Sequence, residues 1–132
     1  MLQRIQTVWL LLAAAFAFIS LQTNFYVATV PPVFFTGQTE MFILILTVIS
    51  GTLSLVNIFL YKNRPLQLKL TLANLGVSIV EIVFYFLALE NYTSGAFALT
   101  SVVVFACPLL LLLAARGIYA DQKLIKSVDR LR

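Results

Sequence analysis

One carboxylic acid stands alone among the long apolar stretches of this chain: Glu81, near the middle of residues 70–89. Uncharged polar residues surround it at helical spacing. Thr47, Ser50, Ser54, Asn57 and Tyr61 follow one another at steps of three or four, and Gln67, Thr71, Asn74, Ser78, Glu81 and Tyr85 do the same. A repeat averaging about 3.5 residues keeps each set on one helix face and is the seam of a left-handed helix pair. Hydroxyl and amide groups on such a seam bond to the facing helix instead of meeting lipid. Folding the chain about Arg64 pairs Tyr61 with Gln67, Asn57 with Thr71, Ser54 with Asn74, Ser50 with Ser78 and Thr47 with Glu81. The candidate intramembrane polar site is therefore Glu81, Thr47, Asn74, Ser78, Ser50, Ser54 and Asn57.

A charge at mid-membrane costs about 2.5–3.5 kcal/mol on insertion scales, so an acid there faces the bundle and finds a partner. No lysine, arginine or histidine lies at its depth in the sequence, which favours the neutral acid. Two roles compete for Glu81. One is a proton- or cation-binding carboxyl in a transport path; the other is a protonated acid that donates a hydrogen bond within the seam or to a partner protein.

Other chemistry is scarce. The chain has no histidine and one cysteine, Cys107, which excludes the ordinary zinc, haem and iron–sulfur ligand sets and any disulfide within the chain. No cofactor and no metal are expected. Intramembrane hydrolysis wants a His–Ser, paired-Asp or metal arrangement, and one acid without histidine supplies none of these, so no enzyme is expected either.

The elements that must position the seam follow from composition. Of 132 residues, 61% are hydrophobic and 11% charged, with a mean hydropathy of +1.00. Four apolar stretches, at about residues 5–21, 41–61, 70–89 and 97–115, approach the roughly 20 helical residues that cross a hydrocarbon core. The first begins as a signal peptide does, with Arg4 before a Leu/Ala-rich run and an Ala15-Phe16-Ala17 triplet, and is read as an uncleaved span. Short later connections make the spans antiparallel neighbours. The nine basic residues sit before the first span (Arg4), between the second and third (Lys62, Arg64, Lys69) and after the fourth (Arg116, Lys123, Lys126, Arg130, Arg132). The other two connections carry only Glu40 and Glu90 among charged residues. Basic residues stay on the cytoplasmic side, so both termini are expected there. The expected architecture is a single all-α membrane domain, residues 1–132, with four transmembrane helices in an antiparallel bundle. The basic residues are spread over three edges and are not gathered with aromatics, which argues against nucleic acid as a partner.

Three further stretches carry expectations. The outer connection, residues 22–39, places Phe25, Tyr26, Val27, Val30, Val33, Phe34 and Phe35 around Pro31-Pro32. So apolar a segment is expected to lie in the interfacial layer, fold over the bundle or pack on another subunit, and its prolines forbid one continuous helix. Cys107-Pro108 predicts a packing kink in the fourth span, and Ala13 with Ala17 has the spacing of close helix approach. In residues 116–132, Ile118, Leu124, Ile125, Val128 and Leu131 fall opposite Lys123, Lys126 and Arg130, which predicts an amphipathic cytoplasmic helix. Lys123, Lys126, Arg130, Leu124 and Val128 are its candidate interface or membrane-surface residues, an anionic leaflet being the commoner target.

Three segments resemble a known family. These are Gln3-Arg4-Ile5-Gln6-Thr7, then Tyr61-Lys62-Asn63-Arg64 with Gln67, then Leu113-Ala114-Ala115-Arg116-Gly117-Ile118 with Asp121, Lys123-Leu124 and Ser127-Val128-Asp129-Arg130-Leu131-Arg132. Together they resemble small four-span inner-membrane proteins of unknown function from the Bacteroidetes, with a departure at Gln122, where the family carries an acid. The resemblance implies four spans and a bacterial inner-membrane location, and no established activity. The expected function is an accessory or assembly subunit of a larger membrane complex, in contact with the lipid bilayer and with a membrane-protein partner or further copies of itself. The alternative is a small proton- or cation-coupled transporter, a parallel oligomer with Glu81 as the titrating group.

Overall fold

The computed structural model describes residues 2–30 and 32–131; Pro31 and Arg132, both used in the sequence reading, lie outside the described residues. Four long helices dominate: α1 (Leu2–Ser20), α2 (Met41–Phe59), α3 (Arg64–Leu89) and α4 (Val102–Arg130). The last three are long and apolar enough to cross a membrane, and the first is a shorter apolar helix over Arg4–Ser20. Each packs on two others, α1 on α2 and α4, and α3 on α2 and α4, so the helices form a closed ring of antiparallel neighbours.

Side chains in this ring are distributed against the pattern of a water-soluble bundle. The buried residues of α2 are Ile43, Thr47, Ser50, Gly51, Ser54 and Asn57, and those of α3 are Gln67, Thr71, Asn74, Ser78, Glu81 and Tyr85. Ile45, Val48, Ile49, Leu72, Ile79, Val80 and Val83 point outward and are exposed. In water, polar side chains face out and large apolar ones face in. The opposite arrangement suits a hydrocarbon solvent, where polar groups gain by turning toward each other. The protein is a membrane protein on this ground as well as on helix length.

Helix boundaries differ most from the expected spans in two places. The third helix begins at Arg64, six residues before the apolar run, because Asn63 caps it by accepting from the Leu66 amide and Pro65 sits in its first turn, where a missing N–H costs nothing. The fourth begins at Val102 and runs without interruption through Pro108 and Gly117 to Arg130. The expected amphipathic tail is thus the continuation of a spanning helix and not a separate one. At about 1.5 Å per residue α4 is about 43 Å long, more than a hydrocarbon core requires.

An all-α architecture leaves out a small sheet. Strands β1 (Asn24–Val30), β2 (Pro32–Thr36) and β3 (Ser94–Phe97) form an antiparallel sheet in the order β2-β1-β3. The outer connection therefore folds over the bundle as a hairpin, with Tyr26 opposite Phe35 and Val27 opposite Phe34. Its aromatic and β-branched residues suit strands, and pairing satisfies backbone groups that an irregular loop at the lipid boundary would leave bare. The third strand comes from the other connection, with Tyr26 opposite Phe97 and Ala28 opposite Gly95. Gly95 has φ +158°, and a Cβ there would lie 2.5 Å from both the Tyr26 ring and the Val27 carbonyl, so only glycine fits. Thr100 Oγ1 donates to the Asn24 carbonyl and fastens the start of α4 to the hairpin.

Phe25 and Phe35, both buried, turn from the sheet into the bundle end and pack with Ile43, Tyr85 and Val104. The Phe25 and Tyr85 rings lie 4.2 Å apart between centroids. A second apolar cluster, Leu10, Ala13, Leu111 and Ala114, joins α1 to α4 deeper in the bundle. Ala17 is buried too, so the small-residue pair on α1 faces inward.

Candidate functional site

The polar seam runs between α2 and α3 as the hairpin geometry requires. Nearest the turn, Asn57 Nδ2 donates to Thr71 Oγ1 at 2.6 Å and to the Gln67 carbonyl at 3.2 Å. Gln67 Nε2 returns a bond to the Asn57 carbonyl at 3.1 Å, so each helix holds a backbone carbonyl of the other. Thr71 passes its own proton to the Gln67 carbonyl at 2.8 Å. One and two turns on, Asn74 Nδ2 donates to Ser54 Oγ at 2.8 Å and to the Ser50 carbonyl at 3.0 Å, while Ser54 donates to that carbonyl at 2.9 Å.

Deepest along the seam, Thr47 Oγ1 lies 2.5 Å from Glu81 Oε1 and 2.7 Å from the Ile43 carbonyl. A hydroxyl has one proton and the carbonyl can only accept. If Thr47 donates to Ile43, the short contact to Glu81 requires the proton to sit on the acid. If Thr47 donates to Glu81, the Ile43 carbonyl keeps only its helical bond. The heavy-atom geometry is thus compatible with either of two proton arrangements. Glu81 is 5% exposed and, among the described residues, has no ion-pair partner; the ion pair found lies elsewhere, between Arg64 and Asp121.

Of the five pairs expected across the hairpin, Asn57–Thr71, Ser54–Asn74 and Thr47–Glu81 are hydrogen-bonded. Two are not. Ser78 donates back to the Leu75 carbonyl at 2.8 Å, the local bond that a helical serine makes readily, and so does not reach Ser50 by that proton. Tyr61 is 51% exposed past the end of α2, and Gln67 turns to Asn57 instead. Ser50 is buried on the seam and contributes its carbonyl as acceptor.

Beyond Glu81 the seam ends under the sheet. Tyr85, one turn along α3, is fully buried against Phe25 and Phe35, and its hydroxyl, without a hydrogen-bond partner among the described residues, lies where a Cβ on Gly37 would approach to 2.8 Å. Asn57 Oδ1 and Asn74 Oδ1 are likewise shielded acceptors without a partner. Each orphan forgoes a bond worth about 1–3 kcal/mol when desolvated. Cys107 Sγ makes only a long contact, 3.9 Å, to the Ala13 carbonyl, as a small packing residue does. Among the described residues no cluster of three or more His, Cys, Asp or Glu is placed to hold a metal ion.

The candidate residues of the C-terminal stretch, Lys123, Lys126, Arg130, Leu124 and Val128, all lie where α4 has left the bundle, and each is exposed. Sequence reasoning missed what ties that end together. Arg64 Nε pairs with Asp121 Oδ2 at 3.0 Å, linking α3 to α4, and Gln6 Nε2 donates to the Gly117 carbonyl at 2.7 Å, linking α1 to α4. A signal for the first existed: Leu111, Ala114, Ile118 and Asp121 continue one buried face at steps of three and four.

Comparison with known proteins yields one match. Residues 2–131 match the family described as a domain of unknown function, DUF4293, and the chain belongs to that family. No curated protein and no solved structure matches it.

Proposed function

We propose that this member of the DUF4293 family is a non-catalytic accessory or assembly subunit of a larger complex in a bacterial inner membrane of the Bacteroidetes type, with four spans and both termini cytoplasmic. The observation that carries the reading is the far end of α4. From Lys123 to Leu131 every residue is exposed, and Leu124, Val128 and Leu131 are 51%, 50% and 88% so. A helical end of this length has little stability of its own in water, and a face of exposed aliphatic side chains gains only when covered. Because it continues the axis of a spanning helix, it leads away from the bilayer plane with only its first turn, through Lys126, near the headgroups, which favours a protein partner over a leaflet for the aliphatic face that ends at Leu131. The polar seam supports the same reading: its amide donors are spent within the chain, and the aromatic cluster under the sheet closes its end. Purification of the full chain from native membranes in mild detergent tests this. A stoichiometric partner that is lost on Leu124→Glu/Val128→Glu is expected; a free monomer in mild detergent counts against the proposal.

A second reading rests on the Thr47–Glu81 contact, where two proton arrangements share one geometry. A parallel oligomer in which Glu81 takes up and releases a proton or cation is a small coupled transporter. Proton-linked flux in proteoliposomes that disappears in Glu81→Gln is its expected signature, and unchanged flux removes it.

A further inference from the structure

At the basic end of the bundle, the start of α3 and the projecting part of α4 enclose a hollow of about 300 Å³ lined by Lys62, Arg64, Pro65, Gln122, Ile125 and Lys126. Three of its six lining residues are cations from two separate elements. Asp121 engages Arg64 at 3.0 Å through Nε, so the local balance of these four charges is two positive. A guanidinium has five donors, and one carboxylate does not exhaust them. The fourth polar group in the lining is Gln122, whose Nε2 is shielded from solvent and, among the described residues, has no hydrogen-bond partner. A shielded amide donor without an acceptor costs about 1–3 kcal/mol, which an anion in the hollow recovers once the Gln122 side chain turns its amide toward it. The N-terminus of α3, at Arg64 and Pro65, opens on the same space and adds its partial positive charge.

The level of the hollow narrows the ligand further. Arg64 precedes the apolar run of α3 by six residues, about 9 Å of helix. The polar layer of a bilayer extends roughly 5–8 Å beyond each side of the hydrocarbon core, so Arg64 stands at the outer edge of the headgroup layer, with its side chain in reach of the phosphates. Ile125 gives it one apolar wall, which suits a phosphate attached to a glycerol.

We propose that Lys62, Arg64, Gln122 and Lys126 form a binding site for a phosphate group, presented by an anionic lipid headgroup at the basic face of the membrane. Arg64 and Lys126 supply charge-assisted bonds from α3 and α4, Gln122 supplies an amide donor on turning into the hollow, and Asp121 positions Arg64.

The test is native mass spectrometry of the full chain in an uncharged detergent with added phosphatidic acid, diacylglycerol or inorganic phosphate. One phosphatidic acid per chain is expected to stay bound, with diacylglycerol released. Lys62→Ala/Lys126→Ala and Gln122→Glu should each weaken retention at least tenfold. Lys123→Ala/Arg130→Ala removes as much charge outside the hollow and should leave retention unchanged. Both cation pairs are exposed, so these two variants decide the matter even where Gln122→Glu fails to fold. Displacement of the lipid by inorganic phosphate would assign the site to free phosphate, and no displacement to the headgroup; either supports the phosphate chemistry. Equal retention of diacylglycerol, or an equal loss in the control pair, overturns the proposal.

Discussion

Between α1 and α4 the bundle is closed by Leu10, Ala13, Leu111 and Ala114, while between α2 and α3 it is closed by Asn57, Thr71, Ser54, Asn74, Thr47 and Glu81. Both sets are buried and both recur at helical spacing. In a bilayer, helix association gains little from removing apolar groups from lipid, so an interface needs either close packing or hydrogen bonds. The α1–α4 seam takes the first course: alanines let the backbones approach, and leucines fill what remains. The α2–α3 seam takes the second, with side chains that reach the opposite backbone. The polar seam is specific in register, because an amide displaced by one turn loses its acceptor, and it is also the seam that leaves Asn57 Oδ1 and Asn74 Oδ1 without partners. The apolar seam is indifferent to polarity and sensitive to volume.

Mutations that change volume and polarity separately would break this contrast or sharpen it. Leu111→Ala, at a side chain 1% exposed, removes packing from the apolar seam. Unfolding in mixed detergent micelles is expected to show a loss of roughly 2–5 kcal/mol, the range for such truncations in packed cores. Ala114→Leu, at a fully buried position, adds volume inside the α1–α4 cluster. A loss of about 1–3 kcal/mol by the same measurement is expected from overpacking, and an unchanged stability would deny close packing there. On the polar seam, Asn57→Ala removes two donors to α3 and is expected to cost about 1–2 kcal/mol. Asn57→Leu, which restores volume without polarity, should not recover it; full recovery would make this seam a packing interface like the other. The smallest effect is a coupling: a double-mutant cycle on Ser54→Ala and Asn74→Ala should give about 0.6 kcal/mol, as single hydrogen bonds between membrane helices do.

Much of the polar seam was legible in the sequence because its information is local. A face of α2 and a face of α3 are each defined by spacing within one helix, and the short turn about Arg64 leaves little freedom of register. Thr47 and Glu81, 34 residues apart, could therefore be paired on paper. Tyr61 and Ser78 departed from the expected pairs for local reasons as well, the first by lying past its helix end and the second by bonding its own backbone. The aromatic and β-branched residues of β1 and β2 suit strands, but in Phe25-Tyr26 and Phe34-Phe35 the aromatics are adjacent and not alternating, and Pro31-Pro32 excludes a continuous helix without specifying a sheet. Strand β3 carried almost no strand signal: Ser94-Gly95-Ala96-Phe97 is short and fully exposed, and acquires its conformation by pairing with β1.

The chain's order along itself thus determined the apolar helices, the connections that carry its basic residues and the face on which Glu81 lies, because hydrophobic period acts within a turn or two of helix. Contacts between distant segments were decided only in three dimensions: the ring order of the helices, the sheet drawn from two connections, the Arg64–Asp121 pair and the hollow beside it. Their physical reason is common to all of them. A side chain's partner across 57 or more residues depends on how whole helices rotate and slide to satisfy every seam at once, and no single stretch of sequence contains that compromise.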